Sequence, residues 1–203
     1  SGVRNTSVGS NSLDSNTTAN SNSAFGWSSL TSNSTGYENT AVGAEALMNN
    51  TTARFNTALG YYSLFDNVDG EANVALGWYA LHNNTSADNN IGIGKKAGEL
   101  ITTGSNNIMI GANTDPSANN GTNQIVIGYG ATGTGDNEIA LGNTSISAIK
   151  AQVNSITAYS DRRIKREIND SKLGLDFIMK LRPVTYKMKN PADYPDEILE
   201  DRF

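Results

Sequence analysis

The chain has no cysteine, so disulfide bridges and thiolate metal ligands are excluded and the redox compartment cannot be read from its cysteines. Its single histidine, His82, cannot make a histidine metal cluster alone. Charged residues are scarce at 17%, with a formal net charge of -5. No run approaches the ~18 apolar residues of a membrane span, and the N-terminus lacks a charged segment followed by an apolar one. A soluble mature chain without membrane insertion is expected, and the 203 residues are compatible with a piece of something longer. Before Ser160 there are five Lys and Arg against eleven acids, and from Ser160 onward ten against nine. The acidic front part argues against nucleic acid as a partner, because phosphate binding draws mainly on clustered Lys and Arg.

What the chain has instead is a repeat. The segments "NTSVG", "NSAFG", "NTAVG", "NTALG", "NVALG", "NIGIG" and "NIMIG" end at Gly9, Gly26, Gly43, Gly60, Gly77, Gly94 and Gly111, each 17 residues after the last. Gly128 keeps the interval, and Gly142 follows after 14. A ladder of this kind marks stacked units, each unable to bury its apolar side alone.

Every column of the repeat has a physical meaning. The residue before the glycine is always apolar, from Val8 and Phe25 to Ile127 and Leu141, and is expected to be buried in each coil. The residue before that is small, as at Ala24, Ala41, Ala58 and Ala75, which fits a tightly approached face. The glycine fits a corner between short strands. Asn5, Asn22, Asn39, Asn56, Asn73, Asn90 and Asn107 stand four residues before it, and stacked amides of this kind can hydrogen-bond from coil to coil. A leucine column (Leu13, Leu30, Leu47, Leu64, Leu81) and a second asparagine column (Asn16, Asn33, Asn50, Asn67, Asn84) lapse in the later coils. There Ile91, Ile108 and Ile125 replace Thr or Ser, which turns more apolar surface toward a partner.

The expected fold is all-β: a parallel β-roll or β-solenoid over residues 1–143, about 40 Å long at ~4.8 Å per coil. A neck (144–159) and a short α+β tail (160–203) follow. With two to four apolar side chains per coil the core is thin, and association of several chains would add the missing burial. The pattern resembles the parallel β-roll heads of trimeric bacterial adhesins and the repeat shafts of phage tail fibres, from Asn5 to about Asn143. That resemblance implies a homotrimer.

In the tail, Ile164 and Ile168 are spaced for a helix, and Asp170 or Ser171 could cap another that carries Leu173, Phe177, Ile178 and Leu181. Pro183 ends it, and "PVTYKM" alternates like a short strand. "SDRRIKREI" followed by "LGLDFIMKLRPVTYKMK" resembles the start of the endosialidase-type intramolecular chaperone domain, from Ser160 to about Phe203. The resemblance implies a trimeric module that assists folding of a β-structured shaft and frees itself by cleaving the bond before its first serine. Ser160 would be the nucleophile, Lys165 its partner as base or as proton donor to the leaving amine, and Tyr159–Ser160 the scissile bond. A serine adjacent to the carbonyl it attacks needs no binding pocket, and Arg162, Arg163 and Arg166 could lower the lysine's pKa. The matching stretch is less than half of a usual domain of this kind, so slow or absent cleavage is expected of the chain as given.

Trp27, Tyr61 and Trp78 follow their glycines, with Tyr62 and Tyr79 next to two of them. Such a strip either packs on sugar rings, as a host-surface glycan site, or fills gaps between coils and subunits. His82 reads as a surface residue. Asn16, Asn33, Asn50 and Asn84 head Asn-x-Thr/Ser triplets that a composition this rich in Asn and Thr makes unavoidable. Asp66, Asp69 and Glu71 lack a repeating calcium-loop spacing, the columns hold no persistent carboxylate pair, and "RRIKR" reads as a solvated helix face. No metal and no cofactor are expected. Together these features point to a host-attachment fibre, in the virion or on an extracellular surface, whose one reaction is cleavage of itself. A glycan-degrading tailspike and a bacterial surface adhesin are the alternatives.

Overall fold

The computed structural model describes residues 2–150. Nine strands of three residues form one parallel sheet in chain order: β1 (Thr6–Val8), β2 (Ser23–Phe25), β3 (Thr40–Val42), β4 (Thr57–Leu59), β5 (Val74–Leu76), β6 (Ile91–Ile93), β7 (Ile108–Ile110), β8 (Ile125–Ile127) and β9 (Ile139–Leu141). Each residue pairs with the one 17 positions on, as Thr57 with Val74. The last step, Ile125 to Ile139, is 14. The described part is an all-β parallel β-solenoid of about eight turns, as expected.

Strands this short leave most of each coil's backbone outside the sheet. Backbone hydrogen bonds between coils satisfy much of it, as from Leu64 N–H to Ala80 and Tyr62 N–H to Ala44, and the first asparagine column completes the corner before each strand. Asn56 is fully buried. Its Oδ1 accepts the backbone N–H of Asn73 at 2.9 Å, and its Nδ2 donates to the carbonyl of Gly70 at 2.8 Å. One side chain thus completes both a donor and an acceptor in the corner of the next coil. The pattern runs from Asn5, which accepts from Asn22 N–H, to Asn107, which accepts from Gln124 N–H. In the second column, Asn50, Asn67 and Asn84 each donate to the Oδ1 of the asparagine 17 residues before. It stops at Asn84, whose Oδ1 has no partner, because fully buried Ile101 stands where the next donor would be.

The core corrects one expectation. The apolar residue before each glycine faces outward, with Val8 56%, Leu59 44% and Leu76 41% exposed, while Ala24, Ala41, Ala58 and Ala75 are fully buried. In a three-residue strand only the middle side chain points inward. Against it lies the leucine column, and the space between holds one small group. A Cβ on Gly92 would come within 2.8 Å of Leu81 Cγ. Where the leucine lapses at Gly98, the strand supplies the bulk instead, through fully buried Met109 and Val126. The volume is kept by exchanging the large and small sides.

The corners require left-handed backbone. Leu30, Leu47, Leu64 and Leu81 sit at φ of 49–52°. That conformation costs a non-glycine residue ~1–2 kcal/mol, and burying the leucine returns ~1.5–3 kcal/mol, so the strain is tolerated. Gly60, at φ 141°, is held by a further constraint: a Cβ there would lie 2.5 Å from the carbonyl oxygen of Gly77.

Asn56→Ala orphans the buried N–H of Asn73 and is expected to destabilise the solenoid by about 3 kcal/mol in denaturant unfolding. A change under ~0.5 kcal/mol would contradict the role assigned to the column.

Candidate functional site

The columns that carry the corners also display the surface. Of the three aromatics expected to form a strip, Trp27 is 54% exposed, Tyr61 44% and Trp78 41%. Tyr61 and Trp78 occupy consecutive coils, whereas Ala44 stands between Trp27 and Tyr61. The structure therefore joins two of the three and leaves Trp27 apart.

Beside Tyr61 and Trp78 lies a stack of rings. Tyr79 is parallel to Tyr62 at 5.1 Å and to His82 at 4.6 Å, and Phe65 lies against Tyr62 at 4.6 Å. His82 is half-buried in this stack, contrary to its reading as a surface residue. Its Nδ1 lies 2.8 Å from Asn83 Oδ1 and 3.8 Å from Asp66 Oδ2. Phe65 and His82 were missed because their column, five after the glycine, is aromatic in only two coils. Their separation of 17 residues was the available signal.

In the next coil Lys95 Nζ lies 5.0 Å from the Trp78 ring, and Lys96 Nζ lies 5.7 Å from the Tyr79 ring and 3.0 Å from Glu99. The patch is therefore aromatic at its centre and basic along one edge. The hydroxyl of Tyr62 is held well above its ordinary pKa, first by hydrogen bonding with Tyr61 and then with Glu45.

The acids do not converge on a cation. Glu71 pairs with Arg54 at 2.9 Å, and Asp66 accepts from Asn49 at 3.3 Å. Arg54 also bonds the Tyr37 hydroxyl, and this bond followed by Glu71 raises its pKa above the usual arginine value. Among the described residues, no three His, Cys, Asp or Glu side chains are grouped to hold a metal ion. Nor is any helix among them long and apolar enough to cross a membrane. The Asn-x-Thr/Ser asparagines Asn33, Asn50 and Asn84 are fully buried in the ladder.

One depression, of about 230 Å³, does bring two carboxylates together. It is lined by Asn83, Glu99, Leu100 and Asp115. Asp115 accepts the Leu100 N–H at 2.9 Å, and burial pushes its carboxyl up from the ordinary carboxylate value. This pair was invisible as a column because Asp115 stands where earlier coils have leucine.

Tyr159, Ser160 and Lys165, the expected cleavage site, lie outside the described residues. Residues 160–201 match the model of the family described as "Chaperone of endosialidase". No curated protein and no solved structure matches the chain.

Tyr79→Ala removes the ring at the centre of the stack and is expected to lower stability by about 2 kcal/mol in thermal unfolding. Trp27→Ala is expected to change it by less than ~0.5 kcal/mol. Equal effects would contradict the division of the strip.

Proposed function

We propose that this chain is the shaft of a homotrimeric host-attachment fibre, in a virion or on an extracellular surface, followed by the beginning of a self-releasing intramolecular chaperone. A β-solenoid followed by chaperone-of-endosialidase sequence fits a fibre- or tailspike-type protein. The observation that carries the reading is the start of the family match at Ser160, the residue to which the resemblance assigns the nucleophile.

A physical need supports the pairing of these two parts. Coils that repeat every 17 residues present nearly the same edge every ~4.8 Å, so chains aligning side by side can settle one coil out of step. A terminal module that brings three chains together at one level fixes the step before the shafts stack. Once the shaft has formed the module is dispensable, and cleavage releases it.

The reaction balances within the chain. Ser160 Oγ attacks the Tyr159 carbonyl carbon, the C–N bond breaks as an ester forms, and the freed Ser160 amine takes the proton. Water then hydrolyses the ester, giving a fragment that ends at Tyr159 and one that begins at Ser160. Lys165 acts in the proton transfers. On the shaft, Tyr61 and Trp78 are the surface proposed to meet a glycan, since exposed aromatic faces pack on sugar rings.

In a chain carrying the family domain at its usual length, intact-mass spectrometry is expected to show both fragments, with Ser160→Ala and Lys165→Ala uncut. Normal processing in either variant would remove the dyad.

The Glu99–Asp115 depression favours a second reading, a glycan-degrading tailspike, because two carboxylates, one with a raised pKa, are what glycoside hydrolysis uses. The attachment reading expects no sustained release of reducing ends when the chain is incubated with bacterial surface polysaccharide. Multiple turnovers that Glu99→Gln abolishes would establish the second reading instead.

A further inference from the structure

The outward face of the sheet sets one problem that the core does not solve. Its first and third strand positions carry no charged residue from β1 to β9. In β1–β4 the first position is Thr or Ser, suited to water; from Val74 in β5 to Ile139 in β9 it is Val or Ile. These side chains point away from their own core, yet Leu76 is 41% exposed, Ile127 38%, Ile139 66% and Leu141 49%. Five successive coils thus hold two apolar columns side by side in one continuous strip, with Ile146, Ala148 and Ile149 beside it only at Ile127 and Leu141.

The geometry limits what covers it. The face is a single parallel sheet three residues or ~10 Å wide, and its one depression lies at the β8–β9 end, beside Ile146 and Ile149. Having no charge, it offers nothing to steer a nucleic acid or a charged glycan. Its ridges recur at the coil pitch, ~4.8 Å, and the surface that meets that pitch over its whole length is the same face of another copy. Five strands give a strip of roughly 240 Å², less than a third of the ~800 Å² per partner in a standard interface. Two strips alone make a weak pair, so each copy has to meet more than one neighbour around a closed ring.

We propose that the outward face of β5–β9 is the seam along which copies of this chain pack side by side, parallel and in register, while the Thr-bearing face of β1–β4 adds little to the association. The inference deepens the homotrimer reading above and rests on it. In a parallel ring, equivalent residues of neighbouring copies face one another across the seam.

The absence of cysteine makes the test direct. The full 203-residue chain is prepared as Ile108→Cys, on the seam, and as Ser86→Cys, exposed on a loop outside the sheet. Sedimentation of the parent chain is expected to show a multimer. A short bismaleimide is expected to join Ile108→Cys chains through that same position, with at least tenfold less joining of Ser86→Cys chains. Ile108→Asp combined with Ile127→Asp is expected to lose the multimer while keeping the β signal in circular dichroism. If that variant fails to fold, the cross-links still decide. A multimer that joins through Ser86→Cys but not Ile108→Cys overturns the seam and leaves the association standing. A monomeric parent chain overturns both.

Discussion

The buried asparagine that precedes each strand fixes the corner where coil meets coil, beside backbone hydrogen bonds that run between coils well beyond the three-residue strands. Each amide accepts an N–H and donates to a carbonyl in the following coil, as Asn56 does to Asn73 and Gly70. Without Asn56 the Asn73 N–H would be buried with no partner, whereas the Gly70 carbonyl also accepts from Asn67 Nδ2. An unpartnered buried group costs about as much as several ordinary hydrogen bonds contribute. The 17-residue period suits this contact: an insertion between two asparagines would have to bulge out of its own coil to leave the next amide in place. The remaining features fit around this ladder, from the left-handed leucines that close the thin core to the glycines that let backbones approach.

The same dependence explains how the ladders end. Gln124 takes the next place in the first column, and its longer side chain accepts from Ser117 N–H and donates to the Asp136 carboxylate, not to a backbone carbonyl of the next corner. The following interval shortens to 14 residues. Where the second column stops at Asn84, Ile101 fills the space with apolar volume, and Met109 and Val126 replace the missing leucines. The solenoid therefore shifts, coil by coil, from amide-bonded to hydrophobic packing, and its outer face becomes more apolar over the same coils.

Much of this was legible in the sequence. Glycine and asparagine at fixed offsets in a unit of 17 residues, shorter than the helical repeats, fit a parallel β-solenoid, in which equivalent residues stand in line. The direction of the side chains was less legible. Strands have a period of two, and three residues are too few to show which of two apolar columns points inward. The small size of Ala24, Ala41 and Ala58 was the clue, because the side facing a leucine has room for nothing larger. The aromatic stack and the Glu99–Asp115 pair were hidden for another reason. They are departures from the repeat, and columns report what recurs. Ser160 and Lys165, proposed for cleavage, come from the tail's resemblance alone, and residues 160–201 match the same family's model.

Residue-level hydrogen–deuterium exchange tests the amide ladder most directly. The account predicts slow exchange recurring every 17 residues at the backbone N–H groups of Asn39, Asn56, Asn73, Asn90 and Asn107, as slow as that of the strands that follow them. Rapid exchange at these five positions beside protected strands would contradict it, because the coils would then be held without the asparagine side chains.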